Sequence, residues 1–479
     1  MVGGRELVLR GRTLGASGDR HAGSHLLDTY VLSGHNSQCH GTKPDDERQL
    51  VLGLDFGTSS VKVVIGDSAL GKAFAVPFTK SAGIERYLLP SCLNEADNIF
   101  SLQGDGSSYR DLKLSLLAGP TDRKCQDNVI AFLALVIRHA RGWLLSELAP
   151  IYSNTRIVWK LVVGLPVIQP FETRLSKLFG RLGQIAWLVA GTEGHIDRAR
   201  IHSARANSRA LSMAAEQAPN PGDIEVEAVS ELAAQIYGFV KSNQFDENAR
   251  NIFLMVDIGA GTVDSSLFHV KPALGGRWDF EFFTSVVEPH GVMNLHRYRV
   301  AWWRDALLAS SDPSARDLSY SLNGLVFPTD RMVALPDSYS QYFEGVTVDF
   351  PDARHNPDEK FYCRKVVRQV RGNTYWRTGN DGIVPRQSLK GISAFYCGGG
   401  TRMKLYDRLR EDLRTFPGCT WLSALPRQIE IPSNLEAPTL RREDYDRLSV
   451  AYGLSFLEVG RIVRSLPKPK LVIPRESPW

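Results

Sequence analysis

The sequence lacks most of the features that would place it in a specialised class. Its longest uninterrupted apolar run, Val129–Ile137, is nine residues, under half of the ~20 needed to cross a bilayer. No membrane association is expected from it. The N-terminus shows no basic, then apolar, then small-residue order of a secretory signal. The six cysteines, Cys39, Cys92, Cys125, Cys363, Cys397 and Cys419, form no CxxC pair, so neither a disulfide framework nor a zinc site is indicated. A reducing cytoplasm is the expected location. Nor is there an excess of one charge. Lys and Arg number 57 against 52 Asp and Glu, leaving +5 over 479 residues, too little to argue for a nucleic-acid partner. A P-loop is also absent, because no GxxxxGK[ST] string occurs.

What remains is ordinary globular composition, 43% hydrophobic and 23% charged, over a length that suggests two to four domains at ~150 residues each. Residues 1–48 stand apart. They hold eight of the 41 glycines and four of the 11 histidines, and read as a mobile arm with one short strand at Leu7–Leu9. From Leu50 the texture changes. Leu50–Phe56 reads as a buried strand, Gly57–Ser60 as a turn and Val61–Ile65 as a returning strand. Asn128–Leu148 reads as a helix, Ile157–Val163 as a buried strand and Ile224–Ser242 as a helix. Ile252–Val256 and Val263–Val270 then repeat the strand, turn, strand pattern. Residues 271–395 are aromatic and Pro-broken, without clear periodicity. A strand at Ser393–Tyr396 leads into a Gly-rich turn and a helix to Leu413, and a last helix is expected over Tyr445–Arg464. The tail 465–479 carries four prolines and should be extended.

The informative signal is a pair of similar turns, Asp55-Phe-Gly-Thr58 and Asp257-Ile-Gly-Ala-Gly-Thr262, 202 residues apart and each between apolar strands. A single such turn is commonplace, since Asp and Gly are turn residues. Two are informative. Glycines let the backbone present successive N–H groups to an anion, and the hydroxyls of Thr58, Ser59 and Thr262 add donors. A carboxylate at the end of each strand suits a hydrated Mg²⁺, which takes few carboxylates plus water and phosphate oxygens. A third element, Gly398-Gly-Gly-Thr-Arg402, follows a strand, where small residues admit a ligand against the backbone.

In this order and spacing the three elements resemble the phosphate-1, phosphate-2 and adenosine motifs of the actin-like ATPase superfamily. Within it, the nucleotide-binding domain of DnaK-type, seventy-kilodalton heat-shock chaperones is most similar. Glu231-Leu-Ala-Ala-Gln-Ile-Tyr-Gly238 and Val450-Ala-Tyr-Gly-Leu-Ser-Phe456 resemble its two connecting helices, and Lys160–Pro166 resembles a strand that ends in a Pro turn. The resemblance implies an α/β, ribonuclease H-like fold of two lobes, 49–245 and 246–464, with a nucleotide cleft between them and a divergent subdomain at 271–395. It implies ATP or ADP with Mg²⁺ as cofactors. Asp55 and Asp257 would hold the metal, while Gly57, Thr58, Ser59, Gly259, Gly261 and Thr262 would contact phosphates. Gly398, Gly399, Gly400, Thr401 and Arg402 would line the adenosine side. Glu231 would order the attacking water and Lys113 would lie near the γ-phosphate.

One departure is evident. Residues 271–395 show no Lys/Arg/Glu-rich helix of the kind that clasps adenine in the chaperones. Trp302, Trp303, Tyr320, Tyr339, Tyr342 and Trp376 in that segment read as core or partner surface. The basic run Arg198, Arg200, Arg205 and Arg209 reads as a solvated helix face. The expected activity is slow, Mg-dependent ATP hydrolysis that switches association with a partner protein. A filament-forming bacterial actin homologue is the alternative, and a sugar or acid kinase fits less well for want of a catalytic-Asp motif. The 15 residues after Arg464 are too few for a peptide-gripping domain, so the partner is expected to be a separate protein rather than an unfolded client.

Overall fold

The computed structural model describes residues 20–39, 46–165, 173–214, 224–241, 245–246, 249–274, 277–309, 319–320, 322, 335–342, 356–456 and 459–464. It is a mixed α/β protein of two compact units. The N-terminal unit takes Gly15–Phe245 and is completed by Ile429–Glu458. The second unit is built from Asp246–Gln428 and, later in the chain, Val459–Arg464. Residues 429–458 thus return to the N-terminal unit, where the sequence reading had placed them with the second half.

In the N-terminal unit the sheet is led by Asp46–Phe56, which turns back antiparallel into Ser60–Asp67 and again into Lys72–Ala75. On its other side the lead strand pairs in parallel with Thr155–Leu165, which pairs in parallel with Glu225–Ser230. A short sixth strand, Leu435–Glu436, runs parallel to Lys72–Ala75. The N-terminal sheet also carries Leu89–Pro90 beside Ser60–Asp67; the second unit repeats the order and directions of the other six strands. Ile252–Ile258 leads, Val263–Pro272 and Trp278–Glu288 follow antiparallel, and Lys390–Cys397 then Ser423–Arg427 add in parallel on the other side. Its sixth strand, Val459–Arg464, again runs parallel to the third.

The lead strands are buried along their C-terminal halves, so they read as continuous apolar runs rather than alternating ones. In the N-terminal unit the cover is the helix Arg123–Glu147, whose residues from Gln126 to Gly142 are all buried. This helix is long and apolar enough to span a membrane, but 83% of its most apolar window is buried inside the protein. It serves as the core helix of its unit. The helix Ser449–Phe456 packs against Asp46–Phe56 and Ser60–Asp67 and crosses the helix Glu231–Val240. The crossing is backbone to backbone: a Cβ at Gly453 would collide with the Ala234 carbonyl.

Several local expectations are corrected. The 1–48 arm contains a helix, Arg20–Ser33, packed on Arg123–Glu147 with Leu27 and Tyr30 buried. Its end is tied down by hydrogen-bond partners distant in sequence. Arg141 donates to the Gly34 carbonyl, Trp159 to that of Ser37 and Gln38 to that of Ile157. The proposed Leu7–Leu9 strand and the 465–479 tail lie outside the described residues. Ile224–Ser242 is a strand, Glu225–Ser230, then a helix from Glu231, with Ser230 capping the turn between them. The final helix stops at Phe456 and Val459–Arg464 is a strand. After Arg402 the chain makes two four-residue helical turns, Lys404–Asp407 and Leu409–Asp412, instead of one helix to Leu413.

Residues 271–395 do hold a long basic helix. It begins at Pro357, winds in π fashion through Tyr362–Trp376 and ends at Asn380. Its wider winding and the intervening Val and Gly residues hide it from a search for a 3.6-residue period. The run Arg198 to Arg209 is not simply solvated either. Arg198 grips Glu95 through two hydrogen bonds, and Arg205, 8% exposed, grips Asp127.

Candidate functional site

In the N-terminal unit three parallel strands end side by side. Leu54 pairs with Val163, Val163 with Ala228 and Leu165 with Ser230, so the ends at Phe56, Leu165 and Ser230 form one edge. In open α/β sheets ligands bind outside this carboxyl edge. Every sequence-predicted residue of this unit is on it or beside it. Asp55 closes the lead strand, Gly57, Thr58 and Ser59 form the turn, and Glu231 opens the helix that follows Ser230. The Glu231 carboxylate lies over the backbone of Gly164, in the strand next to that of Asp55. Lys113, on the short helix Leu112–Ala118, donates to Glu231 Oε1 at 2.6 Å. The ammonium is nearly buried and the carboxylate is about one-fifth exposed.

The turn's carbonyls are committed inward. Ser91 donates its Oγ to Gly57 O at 2.7 Å and its N–H to Ser59 O at 3.0 Å. A trans peptide points its N–H opposite its C=O, so the N–H groups of Thr58 and Ser60 are turned to the other side. Lys62 was not among the predicted residues, yet it belongs here. It is the register partner of Asp55 across the hairpin and donates to Asp55 Oδ2 at 2.9 Å. The signal was available in the sequence: a hairpin closed by a short turn at Gly57–Ser59 puts residues 55 and 62 opposite each other.

The second unit makes the same device with Asp257 and the turn Gly259–Thr262. Here the carbonyls face the start of the helix Val292–Leu308. Val292 N donates to Gly259 O, Met293 N to Ala260 O, and Gly291 N and the Asn294 side chain to Gly261 O. This satisfies N–H groups that a helix N-terminus leaves without partners. Across their trans peptides from the Gly259 and Ala260 carbonyls, the N–H groups of Ala260 and Gly261 are turned away from the helix start. Successive N–H groups in this arrangement form an anion-binding concavity. Gly291, which the sequence reading passed over, permits it, because a Cβ there would collide with the loop.

Asp257 pairs in register with Cys397, so the Gly398 turn lies directly against it. Gly398 has φ +86°, and a Cβ would run into Asp257 Oδ1 and the Ile258 carbonyl. Gly399 and Arg402 are exposed and Gly400 is buried against Ile258. Thr401 is 7% exposed and its hydroxyl donates to Gly398 O at 2.8 Å, so it fastens the turn rather than presenting a free donor.

No group of three or more His, Cys, Asp or Glu side chains able to cage a metal occurs among the described residues. Mg²⁺ does not require such a cage, since it keeps most of its waters. Beside the second loop, His290 is pushed below the usual imidazole range, chiefly by burial, with the Lys365 charge adding to the effect. No protein-family model matches the chain, and no curated protein matches it significantly.

Proposed function

We propose that this protein is an ATP-binding, slowly ATP-hydrolysing conformational switch of the actin-like superfamily, of DnaK-like type, that controls association with a partner protein. One observation carries the reading. Two units that share the order of six strands each lead with a hairpin whose Asp-x-Gly-(x-Gly)-Thr turn directs its N–H groups away from its own scaffold. In this reading the units are the two lobes, and the turns serve the phosphates of one nucleotide.

Phosphoryl transfer of this kind is largely positioning plus charge neutralisation. Asp55 and Asp257 would hold hydrated Mg²⁺, which supplies charge neutralisation at the phosphates. The N–H groups of both turns would bind phosphate oxygens, and Lys62, beside Asp55, adds a cation at the first turn. Glu231, fixed by Lys113, would orient water. Backbone-to-backbone packing of the helices Glu231–Val240 and Ser449–Phe456 at Gly453 suits elements that transmit a lobe movement.

The test is calorimetry with Mg·ATP on the intact chain, followed by a hydrolysis assay on wild type and Asp257→Asn. Binding at micromolar level with slow turnover, most of it lost in Asp257→Asn, is expected. Absence of Mg-dependent nucleotide binding overturns the assignment. ATP-dependent growth of light scattering would move it to a filament-forming actin homologue, and ATP-dependent phosphorylation of a sugar to a kinase.

A further inference from the structure

The helix that begins at Pro357 carries an exposed basic stripe that the proposed nucleotide site does not use. Lys360, Arg364, Lys365 and Arg368 are all exposed, and no carboxylate among the described residues lies within ion-pair distance of any of them. Their surroundings are treated differently. Asp358 is spent on Arg299 and Glu359 on Arg408, while Arg410 and Arg414 pair with Asp407 and Glu411. Three arginines on the neighbouring segment are thus neutralised and the stripe is left charged.

The stripe stands on a fixed support. Val366 and Val370 are fully buried, and Thr374 and Thr378 exchange hydrogen bonds with Ser265 and Thr284 of the sheet. Between them Gln369, 1% exposed, donates Nε2 to Val263 O at 2.5 Å and to Val286 O at 3.1 Å. Its Oε1 must then accept from His290 Nδ1, at 2.9 Å. Val263 follows Thr262, and His290 precedes the Gly291 that packs on the loop. The basic helix is therefore fastened on both sides of the turn Gly259–Thr262.

We propose that this stripe is the docking surface for an acidic helical segment of the partner protein. Lys360, Arg364 and Arg368 recur at four-residue steps, each just under one turn of the π-wound helix, so they share one face, and glutamates at i, i+4 on a partner helix form a matching acidic face. Guanidinium forks pair carboxylates bidentately. Nucleic acid fits less well, because the stripe is narrow, carries no exposed aromatic side chain between 360 and 377, and is flanked by neutralised arginines. The dependence of this surface on nucleotide, through Gln369 and His290, rests on the function proposed above; the surface itself does not.

The probe is a fluorescein-labelled helical peptide of alanine with glutamate at every fourth position, read by anisotropy at low salt without nucleotide. Saturable binding is expected, weakened ~tenfold or more by the double change Arg364→Glu/Arg368→Glu and unchanged by Arg427→Glu, exposed on the edge strand Ser423–Arg427. Both positions of the double change are exposed, and an unchanged melting curve establishes that the variant is folded. Failure of wild type to bind, or equal binding by the double variant, overturns the proposal. So does tighter binding of a DNA oligonucleotide of equal charge, which would make the stripe a nucleic-acid contact. Repeating the titration with saturating Mg·ATP tests the link. An unchanged peptide affinity while ATP is bound removes the coupling, whereas no ATP binding removes the ATPase reading and leaves the peptide result standing.

Discussion

The Lys113 ammonium and the Glu231 carboxylate meet at 2.6 Å beside the carboxyl ends of three parallel strands, although 118 positions separate them in the chain. The lysine is 5% exposed, so the carboxylate is its counter-charge as well as its hydrogen-bond acceptor. Removing one partner of such a pair takes a counter-charge from the other in a poor solvent, at up to about 3–5 kcal/mol. Glu231→Ala should therefore lower stability by roughly that amount, discounted because the carboxylate is partly exposed. Glu231→Gln keeps an acceptor for Lys113 and should lose less. Both should hydrolyse ATP far more slowly than wild type while binding it comparably. A Gln variant with normal turnover would reduce the pair to a structural tie.

Gly398→Ala tests the second-unit site without touching a charge. The position has φ +86°, and the added Cβ would meet Asp257 Oδ1 and the Ile258 carbonyl. Backbone in this region is strained for any residue with a Cβ, and the clash adds to that, for a cost of about 2 kcal/mol or more. Displacement of Asp257 should weaken Mg·ATP binding even where the variant remains folded. Differential scanning fluorimetry with and without nucleotide reads both effects. A ligand-induced rise in Tm equal to that of wild type would separate Gly398 from the site.

The two Asp-Gly-Thr turns were legible in the sequence as turns between apolar strands, because residue types at short spacings mark them; Glu231 and Lys113 came only from the resemblance, and no local spacing joins them. The partners that aim the turns were not legible. Ser91 and Gly291 act across about thirty residues, and their signal is geometric rather than periodic. Residues 20–39 read as part of a mobile arm because the glycine- and histidine-rich stretch Gly15–Ser24 offers little apolar surface, but Leu27 and Tyr30 are buried and much of the remaining anchoring is through backbone carbonyls met by buried donors. The strand Glu225–Ser230 reads as helix in the sequence because its six residues run directly into a true helix with no glycine or proline between. The π-wound helix of the second unit escaped for the opposite reason, as its apolar residues follow no 3.6-residue period.

His139 gives a pH dependence with a defined sign. It lies fully buried in the core helix, stacked on Phe78 with ring centroids 4.8 Å apart and hydrogen-bonded through Nε2 to the Pro77 carbonyl at 2.8 Å. Burial pushes its pKa down to about 4 from 6.5. As pH falls below 6.5 the unfolded chain takes up the proton first, so stability is complete above 6.5 and is lost down to about pH 4. At about 1.4 kcal/mol per unit, the whole interval is worth on the order of 3 kcal/mol. Urea midpoints measured between pH 7 and pH 4.5 should fall more steeply in wild type than in His139→Phe. Parallel curves would mean that another group carries the acid sensitivity.

Arg141 joins the ends of two helices by charge rather than by apolar contact. Its guanidinium donates Nε and Nη2 to the Gly34 carbonyl, just past Arg20–Ser33, and Nη2 also to Ala190, the last residue of Thr173–Ala190. It lies over the Trp187 ring at 4.6 Å. Helix C-termini carry partial negative charge, which is why a cation can sit there without a carboxylate. Burial still pushes its pKa down to about 9, with the Arg138 charge adding to the effect. Arg141→Met fills similar volume but leaves the Gly34 carbonyl without its donors, at about 1–3 kcal/mol, while the Ala190 carbonyl keeps the Arg138 Nε at 3.1 Å. Because replacing a buried charge with an apolar group also removes a desolvation cost, global stability alone is a poor readout. The decisive measurement is limited proteolysis. Loss of Arg141 should release the N-terminal segment, so cleavage between residues 20 and 45 should accelerate well before the core is cut. Cleavage there at the wild-type rate would mean that the packing of Leu27 and Tyr30 holds the helix without the arginine.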